Sequence, residues 1–180
     1  MSRFIVTLAL LGLLCMGPAR AQQFALPPGA GDLVGQEEYL VGTDEETLAD
    51  VARNFSLGHQ EIRIANPGVE FWLLPDDARV LLPKRHILPS AVRDGIVLNV
   101  PEMRLYYFPQ PCDSDSPCRV QTYPVSIGRM DWKTPLGTTR ITAKVENPSW
   151  TPPDSIRKEA EAEGKQLPAV VPPGPDNPLG

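Results

Sequence analysis

Between Glu38 and Pro83 the spacing of apolar residues changes from two to 3.6 and back to two, and few small folds accommodate that. Glu38-Tyr39-Leu40-Val41 is a short β-type run closed by Gly42. Leu48, Val51, Ala52 and Phe55 then recur at i, i+3, i+4 and i+7, one apolar stripe of a helix. Ahead of it, Thr43-Asp44-Glu45-Glu46 has the form of a capping box. The Thr43 hydroxyl would accept from the third helical N–H, and Glu46 would reach back to the cap N–H. Gly58 stops this helix, and a second is expected over His59 to Ala65 with Ile62 and Ala65 inward. Asn66-Pro67-Gly68 turns the chain, and Arg79-Val80-Leu81-Leu82-Pro83 closes the unit as a strand. The expected architecture over residues 37–84 is therefore α+β, in the order βααβ.

That order, together with Tyr39-x-Val41, the Gly42-Thr43-Asp44 loop, Thr47-Leu48, Val51-Ala52, Phe55, Asn66-Pro67 and Leu82-Pro83, resembles the LysM module. The chain departs from the usual pattern where a Gly-Asp-Thr/Ser turn is expected, and Asp77 stands where a glycine often precedes the last strand. The resemblance implies binding of N-acetylglucosamine-containing glycans, hence of peptidoglycan. The groove it implies lies between one loop of Gly42, Thr43, Asp44 and Glu45 and a second of Asn66, Pro67 and Gly68 running on to Glu70. Neither loop carries an aromatic residue, and a small packing domain without a ligand is the alternative.

The chain opens with Arg3, an apolar run from Phe4 to Met16, and Ala19-Arg20-Ala21. This is the form of a signal peptide over residues 1–21, with export to the periplasm expected. The apolar run is short for a bilayer, so no membrane span is expected in the mature protein. Leu14 stands where a lipid attached at Cys15 would need a small residue. Residues 22–36, rich in proline and glycine, read as a linker. The leader carries two arginines and no acid, so its removal leaves a mature chain more acidic than the net −5 of the whole. With no basic run, nucleic acid is excluded as an expected partner.

Cys112 and Cys118 remain after export, in Pro-Cys-Asp-Ser-Asp-Ser-Pro-Cys. In an oxidising compartment they are expected to form a disulfide closing a small loop. Zinc would need a second pair of ligands, and a catalytic thiolate would need a positioned histidine and a cationic setting. The chain offers only His59 and His86, both read as surface residues without a partner. No metal and no cofactor are expected.

From Gly95 onward the pattern is β-type. Strands are expected over Gly95–Val100, Met103–Phe108, Arg119–Ile127 and Thr138–Val145, giving a mainly-β sandwich or barrel. Val125 to Gly137 reads as the hairpin joining the last two, with Pro135 presetting φ in its second turn. Asp154 would cap a short helix, Ser155 to Glu163, stopped by Gly164. Pro168 to Gly180 carries five prolines, and loops of that length are functional or disordered.

Leu-Asn-Val-Pro-Glu-Met-Arg-Leu-Tyr-Tyr-Phe at 98–108, Pro-Val-Ser-Ile-Gly at 124–128, Lys-Thr-Pro-Leu-Gly at 133–137, Asn-Pro-Ser-Trp-Thr-Pro-Pro at 147–153 and Pro-Pro-Gly-Pro-Asp-Asn-Pro-Leu-Gly at 172–180 run in order along residues 95–180. Together they resemble an L,D-transpeptidase catalytic domain of the YkuD type. The resemblance implies a cysteine thiolate that attacks a peptidoglycan stem tetrapeptide and expels D-alanine. The acyl group then passes to an amine of another stem peptide or to a lysine of an envelope lipoprotein. The family carries its nucleophile in a Ser-His-Gly-Cys run beyond the proline-rich loop, and no such run occurs here. Cys112 and Cys118 lie between early strands and do not match it. No catalytic residue is therefore assigned. The chain is expected to hold a C-terminally truncated, incomplete sandwich, inactive by itself. The alternatives are a non-catalytic peptidoglycan-binding LysM protein and a structural envelope protein.

Overall fold

The computed structural model describes residues 21–113, 115–128 and 133–179. Residues 1–20, which carry most of the expected signal peptide, and residues 129–132 of the expected hairpin lie outside the described residues. Two compact units are present, one ending at Thr134 and one beginning at Pro135.

The described part of the first unit opens with strand where residues 22–36 read as linker. β1 (Gln22–Leu26) alternates, with Gln22 and Leu26 buried, and β2 (Leu33–Val34) follows. Pro27, Pro28 and Gly29, the last at φ 70°, mark only the turn between them. The proline and glycine content reads as linker; the tertiary partners of β1 decide otherwise.

β3 (Glu38–Val41), α1 (Leu48–Asn54), α2 (His59–Ala65) and β4 (Arg79–Leu82) follow, with β3 and β4 antiparallel. Leu48, Val51, Ile62, Leu74 and Val80 are fully buried in one cluster, each side chain contributing about 1.5–3 kcal/mol. The helix cap is not where the sequence places it. Thr47 is the N-cap: its hydroxyl accepts from the Asp50 N–H at 3.1 Å, and Asp50 Oδ2 accepts from the Thr47 N–H at 3.1 Å. The Thr43–Glu46 segment is held elsewhere, because the Asp44 N–H donates to Asp76 at 3.0 Å.

β5 (His86–Ile87) pairs with β2. β6 (Gly95–Asn99), β7 (Arg104–Phe108) and β8 (Cys118–Pro124) complete an antiparallel sheet in the order β1-β8-β7-β6. Tyr106, Phe108, Val120 and Thr122 line its inner face. The expected third strand stops at Pro124, whose missing N–H cannot extend a ladder.

In the second unit the expected fourth strand, Thr138–Val145, is absent. Ile141 and Val145 are more than two-thirds exposed, and β-branched residues make no strand without a partner to pack on. α3 (Asp154–Ala162) forms, but Pro153 rather than Asp154 occupies the N-cap. Asp154 is the first helical residue and pairs with Arg157. Gly164, at φ 74°, ends the segment. The described residues are thus mainly β with three short helices, and none of their helices is long and apolar enough to cross a membrane.

Candidate functional site

The two loops implied by the LysM resemblance differ in what they leave free. Thr43, Asp44 and Glu45 are exposed, as are Pro67 and Gly68. Gly42 is buried, and a Cβ there would lie 2.4 Å from the Leu74 side chain. Asn66 is turned inward. Its amide donates to the Ile62 and Leu81 carbonyls at 2.8 and 2.9 Å and accepts from the Leu81 N–H at 2.8 Å. Asn66 therefore ties α2 to β4 and has no amide hydrogen left for a ligand.

Next to the second loop stands a ring cluster that the sequence reading missed. His59 and Phe71 are stacked at 4.1 Å and 7°. Trp72 stands edge-on to Phe71 at 4.8 Å and 84°. Phe71 is buried and its carbonyl accepts from the Leu48 N–H at 3.1 Å, while Leu74 is buried two residues past Trp72. The loop is pinned on both sides of Trp72 and Leu73, which are 68% and 65% exposed. The signal was the apolar run Phe71-Trp72-Leu73-Leu74 in a segment with neither helical nor strand periodicity. His59 is exposed, as read, but it is not without a partner.

His86 is the larger departure: it is buried, not at the surface. Its Nε2 lies 2.8 Å from Gln22 Oε1. The Gln22 amide nitrogen donates to the Phe55 and Ser56 carbonyls at 3.1 and 3.2 Å, so its oxygen is what His86 meets. That assigns the imidazole proton to Nε2 and leaves a lone pair on Nδ1, which faces Glu61 Oε1 at 3.8 Å. Glu61 Oε2 accepts from Arg104 at 2.5 Å and from the Gly58 N–H at 2.8 Å. Arg104, almost fully buried, also donates to Thr122 Oγ1 at 3.1 Å. Burial first, and the Arg104 guanidinium second, push the His86 pKa down to about 4. Nearby, burial and a hydrogen bond to Glu102 hold the Tyr106 hydroxyl well above its ordinary pKa.

Cys112 and Cys118 are joined as a disulfide with their Cα atoms 5.5 Å apart. In the second unit, Trp150 and Val171 exchange two backbone hydrogen bonds of 2.8 Å. The buried Asn177 amide donates to the Pro148, Pro172 and Val171 carbonyls at 2.7, 3.2 and 3.4 Å, and its oxygen accepts from the Leu179 N–H at 2.8 Å.

The proline-bounded motifs of residues 98–108, 124–128, 133–137 and 147–153 all fall inside one matched segment, 93–178. That segment matches YkuD, the L,D-transpeptidase catalytic domain. The YkuD segment begins at Arg93 and takes in β6, β7, β8, the disulfide loop and the Asn177 clip. The chain is 39% identical over 166 residues to the probable L,D-transpeptidase YcfS of Escherichia coli K12, across 91% of this chain and 50% of that protein. It is 40% identical over 163 residues to the probable L,D-transpeptidase ErfK/SrfK of the same strain, across 89% and 51%. It is 38% identical over 165 residues to the probable L,D-transpeptidase YbiS, also of that strain, across 90% and 52%. The similarity thus reaches well beyond the YkuD segment into the helical module, and the chain spans about half the length of these curated relatives.

Proposed function

We propose that this chain is part of an exported peptidoglycan L,D-transpeptidase. The observation that carries the reading is the YkuD match over residues 93–178, set within alignments of 38–40% identity to probable L,D-transpeptidases that cover about nine-tenths of the chain. The reaction is acyl transfer through a cysteine thioester. A thiolate attacks the carbonyl that precedes the terminal D-alanine of a stem tetrapeptide, the C–N bond breaks, and D-alanine leaves with a proton. An amine of a second stem peptide, or of an envelope lipoprotein lysine, then takes the acyl group. Cys112 and Cys118 serve structure in this scheme, because sulfur joined to sulfur has no thiolate to offer.

The βααβ module supplies the hold on glycan, as a LysM-like element. Thr43, Asp44, Glu45, Pro67 and Gly68 are the exposed members of the two loops. The fixed indole of Trp72 adds an apolar face on which the C–H side of a sugar ring can lie, and its pinned loop keeps the ordering cost of binding low.

Two assays test the reading. The protein encoded by the complete gene is expected to release D-alanine from tetrapeptide muropeptides and to lose that activity on thiol alkylation, while residues 22–180 alone release none. The same 22–180 chain is expected to sediment with purified peptidoglycan. Absence of release from the complete product overturns the transpeptidase reading, and failure to sediment overturns the glycan reading.

A further inference from the structure

Neither of those readings uses Gln22. It is buried, although it stands directly after Ala21, the last residue of the expected signal peptide. Its side chain crosses from the sheet to the helical module within the first unit. The amide nitrogen donates to the Phe55 and Ser56 carbonyls, just past α1, at 3.1 and 3.2 Å. The amide oxygen meets the His86 ring on β5 at 2.8 Å. The carboxamide thus has a partner for each of its hydrogens and for its oxygen. The turn it holds is a demanding one: Ser56, at φ 54°, adopts a backbone conformation that residues other than glycine rarely take.

Glutamine at a chain's N-terminus has a reaction that internal glutamine lacks. The α-amine attacks its own Cδ, the N–Cδ bond forms, the Cδ–Nε2 bond breaks, a proton passes to the departing nitrogen, and ammonia leaves. The product is pyroglutamate, a covalent change that needs no co-reactant and removes the terminal charge. It no longer has Nε2, so it cannot donate to Phe55 or Ser56. The clamp and the cyclisation compete for one nitrogen atom, which is either held or lost.

We propose that Gln22 is a modification site whose fate is decided by folding: docked in the fold it stays glutamine, and in a chain that remains open it cyclises and the clamp is lost. The proposal rests on the export reading, in which cleavage after Ala21 creates the Gln22 amine. The geometry also orders the events. β1 pairs from its first residue, Gln22 against Thr122, so a protease that needs an extended, accessible chain on both sides of the Ala21–Gln22 bond cuts before β1 docks. Between cleavage and docking the glutamine is open to cyclisation. After docking, each attack requires β1 to let go of the Phe55 and Ser56 carbonyls first, and the rate scales with the fraction of molecules in which the strand has opened.

The test begins with export of the full chain from a bacterial host and the mass of the mature N-terminal peptide. That peptide is expected to start at Gln22 and to retain the mass of its ammonia. The folded protein and a synthetic peptide of residues 22–33 are then treated with glutaminyl cyclase, and the protein is expected to react at least about tenfold more slowly. Protein cyclised while unfolded and then refolded is expected to exchange its β1 amides about tenfold faster than the unmodified control. Failure of the cyclised chain to refold where the control succeeds also supports the clamp. Equal cyclisation rates for protein and peptide, or unchanged β1 exchange in the cyclised protein, overturn the proposal. A mature N-terminus at any other residue overturns it too, and leaves the transpeptidase reading to be judged on D-alanine release.

Discussion

The helical module and the unit that begins at Pro135 show two ways of fixing a chain. The module holds itself by apolar side chains buried on one another: Leu48, Val51, Ile62, Leu74 and Val80 are all fully out of water. The later unit buries little besides Pro152, Ala160 and Val171, and leaves Leu136, Ile141 and Val145 exposed. Its shape comes from backbone pairing of Trp150 with Val171 and from one asparagine gathering three carbonyls. A core distributes its stability over many contacts, and truncating any one of them leaves a void. A clip concentrates it in a single side chain, and its loss is felt only where it reaches.

Ile62→Ala should break the module most. It removes a fully buried side chain from a cluster with nowhere to collapse, at a cost of about 2–5 kcal/mol, read as a lowered denaturation midpoint. An unchanged midpoint would mean that this cluster does not hold the module.

Arg104→Met sharpens the comparison, because it removes a buried charge at the edge of the same module without opening a large cavity. Glu61, about a quarter exposed, is left without its partner. The expected loss is about 2–4 kcal/mol, toward the lower end because water can reach the carboxylate. The double variant Glu61→Gln with Arg104→Met should recover part of it; no recovery would show that the pair does not act as one.

Asn177→Ala tests the clip. The Pro148, Val171 and Pro172 carbonyls lose their shared donor, at about 1–3 kcal/mol. The loss should be local: the Trp150 and Val171 amides should exchange faster while the Ile62 amide keeps its protection. Equal loss of protection at Ile62 would refute the separation.

The same contrast sets how much was legible in the sequence. Apolar periodicity is a local signal, and it placed β3, both helices of the module, β4, β6, β7 and most of β8. What it missed depends on partners far along the chain. β1 looked like a linker because Gln22–Leu26 earns its strand from residues 118–122. His86 looked like a surface residue because the groups that bury it sit on α2, β1 and β7. Thr138–Val145 has the residue types of a strand, but among the described residues no strand pairs with it. Asn177 is one asparagine among prolines until the fold brings three carbonyls to it. The candidate site divides likewise: the loop positions are readable as turns, but only the fold shows that Asn66 faces inward and that Trp72 stands exposed beside them.

The smallest expected effect concerns the start of α1, where two overlapping motifs competed. Thr43-x-x-Glu46 and Thr47-x-x-Asp50 have the same form, and nothing local separates them. The structure does, through the closing contacts of the module: Phe71 takes the Leu48 N–H and Asp76 takes the Asp44 N–H, so the chain is still loop at 44 and becomes helix at 48. The hydrogen bond from Thr47 accordingly holds the Asp50 carboxyl below its ordinary pKa. Thr47→Ala should cost about 1 kcal/mol in a denaturant melt, and Thr43→Ala at most a few tenths. Equal losses at the two positions would mean that the helix begins a turn earlier, and would move Thr43, Asp44 and Glu45 out of the loop that the glycan reading needs.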